Sequence, residues 1–379
     1  MKHIVYISGT RADFGIMSGL LRKLDKTKEF KVTVIATGMH MMRKFGYSIK
    51  DVKRSGLDIE VIDSVFKRDD KSSILMFLSD FIRKLTKKLA KLKPDFIFVI
   101  GDRVEALGGA IAGSYLSIPV AHFHGGEVTS TVDEIARHAI TKLSHMHFCA
   151  TKKSAGRVKK MGENNLRIKV VGAPSIDNIR EMGKISRKEL YKKFGLKSGK
   201  PLVLALQHPV TLDEKNSYNQ MLNTLEAISE LNCQCIVVYP NADPGNNGII
   251  KAINKSSLNS KLRIRKNLSY SEFTSLMKYA SVMVGNSSSA IIEAPYFKLP
   301  VVNIGSRQNG RERACNVIDC NYNKNDIKKS IKLALSSKFK KKIRNLKNPY
   351  SSGDTFKKVL IYLKDVKIDK KLLQKSITY

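Results

Sequence analysis

A chain of 379 residues, 42% of them hydrophobic, is long enough to bury two sizeable cores. It has no apolar run of about eighteen residues, so no membrane span is expected; five cysteines without metal-ligand spacing, and an N-terminus that enters a strand at once without a signal peptide's cleavage region, fit a reduced cytoplasm. The formal charge of +35, from 68 basic and 33 acidic residues, is mostly lysine on helical segments without interleaved aromatics, so a solvated surface or a field steering a phosphate-bearing small molecule is expected, and specific nucleic-acid binding is not.

Residues 3–8 are an apolar run ending in the turn SGTRADFG, and a helical pattern follows through Leu20, Leu21 and Leu24. The turn is neither GxGxxG nor a Walker loop; Arg11, at a helix start beside a glycine-bearing loop, is instead a candidate phosphate contact. Residues 31–36 form the next strand and lead into TGMH, with His40 in the loop. Residues 72–93 carry the apolar spacing of an amphipathic helix stopped by Pro94. DFIFVIGDR reads as a strand buried on both faces, 104–116 as a close-packed helix rich in alanine and glycine, and VAHFHGGE as a strand running into a glycine turn. Strands at 145–150 and 167–171 complete this series, a linker is expected near 172–184, and Ser186 with Glu189 reads as a capping box. A second series follows: strand PLVLALQHP, helix 219–231, strand QCIVVYPNAD, strand 261–265, and a helix capped by Ser269 or Ser271. SVMVGNSSSAIIEAP is strand, turn and helix, and LPVVNIGSRQNGRER is strand and loop. The alternation predicts two Rossmann-like α/β domains facing across a cleft, with ligands outside the carboxyl ends of the strands.

Four stretches carry candidate chemistry. Residues 101–138 crowd Asp102, Glu105, Glu127, Asp133 and Glu134 beside Arg103, Arg137, His122, His124 and His138, in a chain poor in carboxylates. Shared proximity shifts proton affinities apart, as acid–base chemistry needs. VGNSSSAIIE places Asn286, Ser287, Ser288 and Ser289 at a helix N-terminus, suited to a diphosphate, with Glu293 placed for ribose hydroxyls. His208, in QHPV after a buried strand, is a candidate phosphate donor or proton carrier. Arg307, Arg311 and Arg313 suit anchoring of a loop or a phosphate.

The motifs GTRADFG, TGMH, GDRVE, HFHGGEVT, DEIARHAITKLSH, QHPVT, PNADPG, GNSSSAIIE, NIGSRQNGRER and NPYSSG occur in this order. Together they resemble the hydrolysing UDP-N-acetylglucosamine 2-epimerase family, bacterial sialic-acid-pathway type, over nearly the whole chain. The non-hydrolysing branch typically has GTRPE, GDTT and HxEAG where this chain has GTRAD, GDRVE and HGGE.

The resemblance implies a glycosyltransferase-B-like fold. Its expected parts are a first domain over 1–175 with the catalytic carboxylates, a second over 176–353 binding UDP, and a C-terminal helix and tail over 354–379 packing back on the first. It places Ser287 and Ser288 on the diphosphate, with Gly285 and Asn286 in the same turn, and Glu293 on the ribose. Arg11, with its neighbour Ala12, and His208 approach the phosphates, and Asn241 and Arg307 join the substrate contacts. Asp102, Glu127 and Asp133 supply the chemistry together with His208. Arg103, Glu134, Arg137 and His138 surround them, and His40 contacts the sugar. The partner implied is a small nucleotide sugar, with no cofactor and no metal, in a homodimer or homotetramer. The chemistry suits that inventory. No ketone acidifies the C2 hydrogen, so it leaves only as the bond from C1 to UDP breaks, giving a 2-acetamidoglucal. Water then adds at C1 and C2 is reprotonated from the other face, so two proton-transfer groups are needed, each worth roughly 10²–10⁴ in rate. Which carboxylate is the base stays open. So does the sugar: the alternatives are a UDP- or GDP-linked 2,4-diacetamido-6-deoxy hexose and the non-hydrolysing reaction.

Overall fold

The computed structural model describes residues 1–129, 131–181 and 185–379. The chain divides into two compact units: Met1–Val128, Val132–Glu181 and Tyr350–Tyr379 form the first, and Thr129–Thr131 with Met182–Pro349 the second.

The first unit holds seven parallel strands: β1 (Lys2–Ser8), β2 (Phe30–Ala36), β3 (Asp58–Val61), β4 (Phe96–Ile100), β5 (Val120–Phe123), β6 (Met146–Cys149) and β7 (Ile168–Val170), in the order β3-β2-β1-β4-β5-β6-β7. The inner strands β4, β5 and β6 are buried along their whole length, as their unbroken apolar runs require when both sheet faces are covered. The edge strand β3 was not legible: its sequence, DIEV, alternates charged with apolar residues, and it is partly exposed. The helix Lys71–Leu92 buries Phe77, Phe81, Leu85 and Leu89 on one face and ends at Lys93, which takes a left-handed φ of 44° ahead of Pro94.

The second unit holds six parallel strands: β8 (Leu202–Leu206), β9 (Gln234–Val238), β10 (Leu262–Arg265), β11 (Val282–Gly285), β12 (Val301–Ile304) and β13 (Val317–Cys320), in the order β10-β9-β8-β11-β12-β13. The edge strand β13 also escaped the sequence, because only its register with β12, Val301 against Val317, identifies it. Ser186 and Glu189 form the expected capping box, and Ser269, not Ser271, caps the helix Tyr270–Tyr279 with Glu272.

Residues 172–184 differ from the expected linker. Pro174–Glu181 is a helix with Ile176 and Ile179 buried, and Asn178 Nδ2 donates to the Gly15 carbonyl at 2.6 Å. The proline suits a first helical turn, where its missing N–H costs nothing; residues 182–184 lie outside the described residues. The C-terminal helix Thr355–Asp365 belongs to the first unit, where it packs on Arg11–Asp25 and Pro174–Glu181. Its Val359 and Leu363 are fully buried, each worth about 1.5–3 kcal/mol of burial. Among the described residues, no helix is long and apolar enough to cross a membrane.

Candidate active site

In doubly wound sheets a ligand crevice opens at the carboxyl ends of the two strands where the order reverses. In the first unit those strands are β1 and β4, and the loops leaving them are GTRAD and GDRVE. In the second they are β8 and β11, followed by QHPV and GNSSS. Two of the motifs singled out by residue type thus stand at the switch point of each sheet, while HFHGGEVT leaves the neighbouring strand β5.

In the first unit the helix Asp133–Leu143 carries Arg137, which is 1% exposed. A guanidinium so enclosed requires partners for its charge and donors. Its NH1 donates to the Glu127 carbonyl at 2.9 Å, and its NH2 donates to the Asp102 carboxylate. Arg137 therefore ties the Asp102 carboxylate to the Glu127 backbone, and the charges of Glu127 and of Asp133, at the start of the same helix, also act on it. The Glu127 side chain pairs with His124, Nδ1 to Oε1 at 2.6 Å. The glycines of HGGE are forced: a Cβ on Gly126, which has a φ of 75°, would lie 2.2 Å from the Ser154 carbonyl oxygen. Glu134 and His138 face each other one turn apart at 3.4 Å, both part-exposed.

Arg103 caps the start of the helix Val104–Tyr115 and donates to both oxygens of Glu105, at 3.1 and 3.3 Å. Glu105, read as part of the carboxylate cluster, is buried, and Asp13, which the sequence reading did not single out, is partly buried beside it. Burial, above all, pushes both carboxyls up, against the pull of Arg103. Asp13 closes a capping box with Thr10 and accepts from the Ser8 hydroxyl, and a Cβ on Gly9 would collide with Glu105, so both carboxylates brace the GTRAD turn. Arg11 begins the helix with Ala12 exposed beside it; burial pushes its guanidinium down to about 10, still charged at neutral pH. His40 is fully enclosed, its Nε2 bonded to Ser8 Oγ and its Nδ1 to Ser48 Oγ, both at 2.9 Å. Burial, then the Arg103 charge, lowers it to about 3 and keeps it neutral.

In the second unit Asn286 is fully buried. Its Oδ1 accepts from the His208 N–H at 2.7 Å and its Nδ2 donates to the His208 carbonyl at 2.9 Å, which locks the two phosphate-type loops together. The Asn286 side chain is therefore an internal brace between the two loops. His208 Nδ1 accepts from the Asn241 N–H at 3.1 Å, so the neutral ring carries its proton on Nε2 and is a donor there. Gly285 has a φ of 131°, and a Cβ on it would lie 2.0 Å from the Leu206 carbonyl oxygen; no other residue fits. Ser287 caps the helix Ser288–Ile292, which is shorter than expected, and Ser288 is the part-exposed member of the serine run. Glu293 is the helix's C-cap, buried, and accepts from the Tyr270 hydroxyl at 3.2 Å. Gln308 Nε2 donates to the Asn286 carbonyl at 2.8 Å and Arg307 reaches the same oxygen at 3.5 Å, so the SRQNGRER loop supports the turn from outside. Arg313 is committed to Asp319 at 2.7 Å. Gln308 had no distinguishing sequence signal.

Known proteins bear on this arrangement directly. The family model for UDP-N-acetylglucosamine 2-epimerase matches residues 22–364. Over 380 residues, covering 100% of both chains, the sequence is 36% identical to the hydrolysing UDP-N,N'-diacetylbacillosamine 2-epimerase of Legionella pneumophila. It is 34% identical to the hydrolysing GDP/UDP-N,N'-diacetylbacillosamine 2-epimerase of Campylobacter jejuni, across 89% of each chain. Its fold is similar to that of the UDP-GlcNAc 2-epimerase from Neisseria meningitidis solved with UDP-GlcNAc, with a TM-score of 0.81 at 21% identity over 97% of this chain and 100% of that one. With its two parallel-sheet units of glycosyltransferase-B-like type, the chain belongs to the UDP-N-acetylglucosamine 2-epimerase family.

Proposed function

We propose that this protein is a hydrolysing 2-epimerase that converts a UDP-linked 2-acetamido sugar and water to UDP and the free 2-epimer, and that its sugar is N,N'-diacetylbacillosamine. The observation that carries the reaction class is the Arg137 bridge, which holds the Asp102 carboxylate and the Glu127 backbone in one cluster with His124. Inversion at C2 needs two proton-transfer groups, and this cluster holds two acids in different settings: one bound to a cation, one to an imidazole. The diacetylated sugar is favoured by the names of the Legionella and Campylobacter relatives. UDP-GlcNAc is the second reading, supported by the family description.

In this reading the pairing with Arg137 keeps Asp102 ionised, which suits it to take the C2 proton as the C1–O bond to UDP breaks. The intermediate is the glucal. Water adds its oxygen to C1, and C2 receives a proton on the opposite face from the second group, for which Glu127 is the candidate. Charge developing on the departing diphosphate is met within the second unit by His208 Nε2–H and the Ser287–Ser288 turn, donors of a kind worth roughly 2.7–4 kcal/mol each.

The test incubates the purified protein in deuterated water with UDP-N,N'-diacetylbacillosamine, its GDP-linked counterpart and UDP-GlcNAc. The expected result is UDP and a free sugar carrying one deuterium at C2, fastest with the first substrate. An epimerised sugar still attached to UDP would move the protein to non-hydrolysing chemistry, and hydrolysis without C2 exchange would remove the epimerase reading.

A further inference from the structure

We infer that His124 is a positioning residue for Glu127, its Nδ1–H holding that carboxylate in the one rotamer from which it exchanges a proton with C2; this rests on the reading of Glu127 as a proton-transfer group. His122, two residues earlier, shows what a structural histidine looks like here. It has both ring nitrogens satisfied, Nε2 donating to the Gly101 carbonyl at 2.7 Å and Nδ1 bonded to Thr141 Oγ1 at 3.1 Å. His124 differs in each respect. Its backbone has a φ of 62°, in the left-handed region, which histidine enters more readily than most residues other than glycine. One nitrogen contacts a carboxylate at 2.6 Å, and the other, Nε2, is buried with no hydrogen-bond partner among the described residues.

A carboxylate contact with an open second nitrogen also occurs in the structural pair His147–Glu163; what sets His124 apart is that its carboxylate belongs to the residue whose backbone joins the Arg137–Asp102 cluster. An apolar side chain would fill the space without an unsatisfied nitrogen, and a glycine would take the φ without strain. The pair is enclosed, with His124 and Glu127 side chains 7% and 3% exposed, so its geometry is set by protein groups. The charged and titratable groups around it are Arg137 and Asp133 from the helix Asp133–Leu143, Asp102 from the β4 turn, Arg157 from the helix Lys152–Lys160, and Cys149 of β6. Arg137 donates to the Glu127 carbonyl and Arg157 to the Gly126 carbonyl at 3.1 Å, so the backbone is held from two sides. The imidazole adds its own restraint on the Glu127 side chain, through the 2.6 Å contact to Oε1. The neutral Nδ1–H tautomer fits, because a buried acceptor without a partner is tolerated better than a buried N–H.

Three variants at position 124 separate this from a structural role. In His124→Asn the amide nitrogen overlays Nδ1, and asparagine accepts the left-handed backbone; His124→Gln puts its amide near Nε2, and His124→Phe has no donor. The Gln and Phe variants are expected to lose kcat on the order of 100-fold, the scale of a misplaced catalytic group, with KM and UDP affinity unchanged. The Asn variant is expected to recover most of that loss, because its amide restores the donor at the Nδ1 position. Equal losses in Asn and Gln, or losses confined to KM or UDP affinity, would overturn the inference. Glu127→Gln is assayed alongside. If it keeps full activity, the reading of Glu127 falls; if it is inactive while His124→Gln is not, only the role of His124 falls. Should the Gln or Phe variant fail to fold, the wild-type protein labelled at histidine decides. A hydrogen-bonded Nδ1 proton of His124 that is perturbed in Glu127→Gln supports the inference, and its absence overturns it.

Discussion

Arg137 does at the level of one side chain what no run of sequence announces: it joins residues 35 positions apart, and it is buried while doing so. Arg137→Lys keeps the charge but not a planar fork that reaches in two directions. Its kcat/KM is expected to fall on the order of 100-fold while UDP affinity, measured by calorimetry, is retained; unchanged turnover would show that the bridge is dispensable. The buried histidines set the acid limit of the fold. Burial lowers His40 and His122 to about 3 from an ordinary 6.5, so between those values the unfolded chain binds more protons and stability falls with falling pH. Glu163 adds a lower step. Burial raises its carboxyl, but hydrogen bonds from His147, Lys142 and Lys375 outweigh this and hold it at about 2, so its contribution is complete above its ordinary 4.5 and is lost as pH falls toward 2. Thermal unfolding is therefore expected to weaken progressively below pH 6.5. Glu163→Gln should be less stable at neutral pH, with the gap to wild type closing only below about 4.5. A gap that stays constant with pH would contradict the assignment.

Among the elements, the helix Asp133–Leu143 matters most, since it carries Asp133, Glu134, Arg137 and His138. Its far end is held by the C-terminal tail. Lys375 Nζ donates to the carbonyls of Lys142 and Ser144 at 2.8 and 2.7 Å, and pairs with Glu163 at 2.8 Å. A cation on the last carbonyls of a helix satisfies acceptors that have no intrahelical partner and complements the dipole. Lys375→Met is expected to cost about 1–3 kcal/mol, a few degrees of Tm, read by calorimetry; an unaltered Tm would make the tail contact incidental. The elements also show how far sequence patterns reach. Unbroken apolar runs such as FIFVI announced their strands, because a strand covered on both faces must be apolar throughout. DIEV and VIDC did not, because an edge strand has one exposed side and is defined by its neighbour. Residues 174–181 were taken for a linker because Gly-Ala-Pro-Ser composition masks a helix whose stability comes from packing on Arg11–Asp25.

For the molecule as a whole, the charge of +35 carries a measurable consequence if it draws in the anionic nucleotide. Raising ionic strength from about 0.01 to 0.15 M shortens the screening length from about 30 to 8 Å, so kcat/KM should fall while kcat holds; an insensitive kcat/KM would leave the lysines a solvating role only. The sequence by itself determined the alternation of strands and helices, the two parallel α/β sheets, and the glycine and serine turns at strand ends. These are local properties, written in periodicities of two and 3.6 residues and in the steric demands of positive φ. Only the tertiary structure decided which turns share a switch point, because strand order depends on pairings between distant segments. The same holds for side-chain roles. His40 is enclosed between the Ser8 and Ser48 hydroxyls, Asn286 braces the His208 backbone, and His124 contacts the Glu127 carboxylate. Each outcome turned on burial and on a partner's position, which residue type and spacing leave undetermined until the sheet brings the loops together.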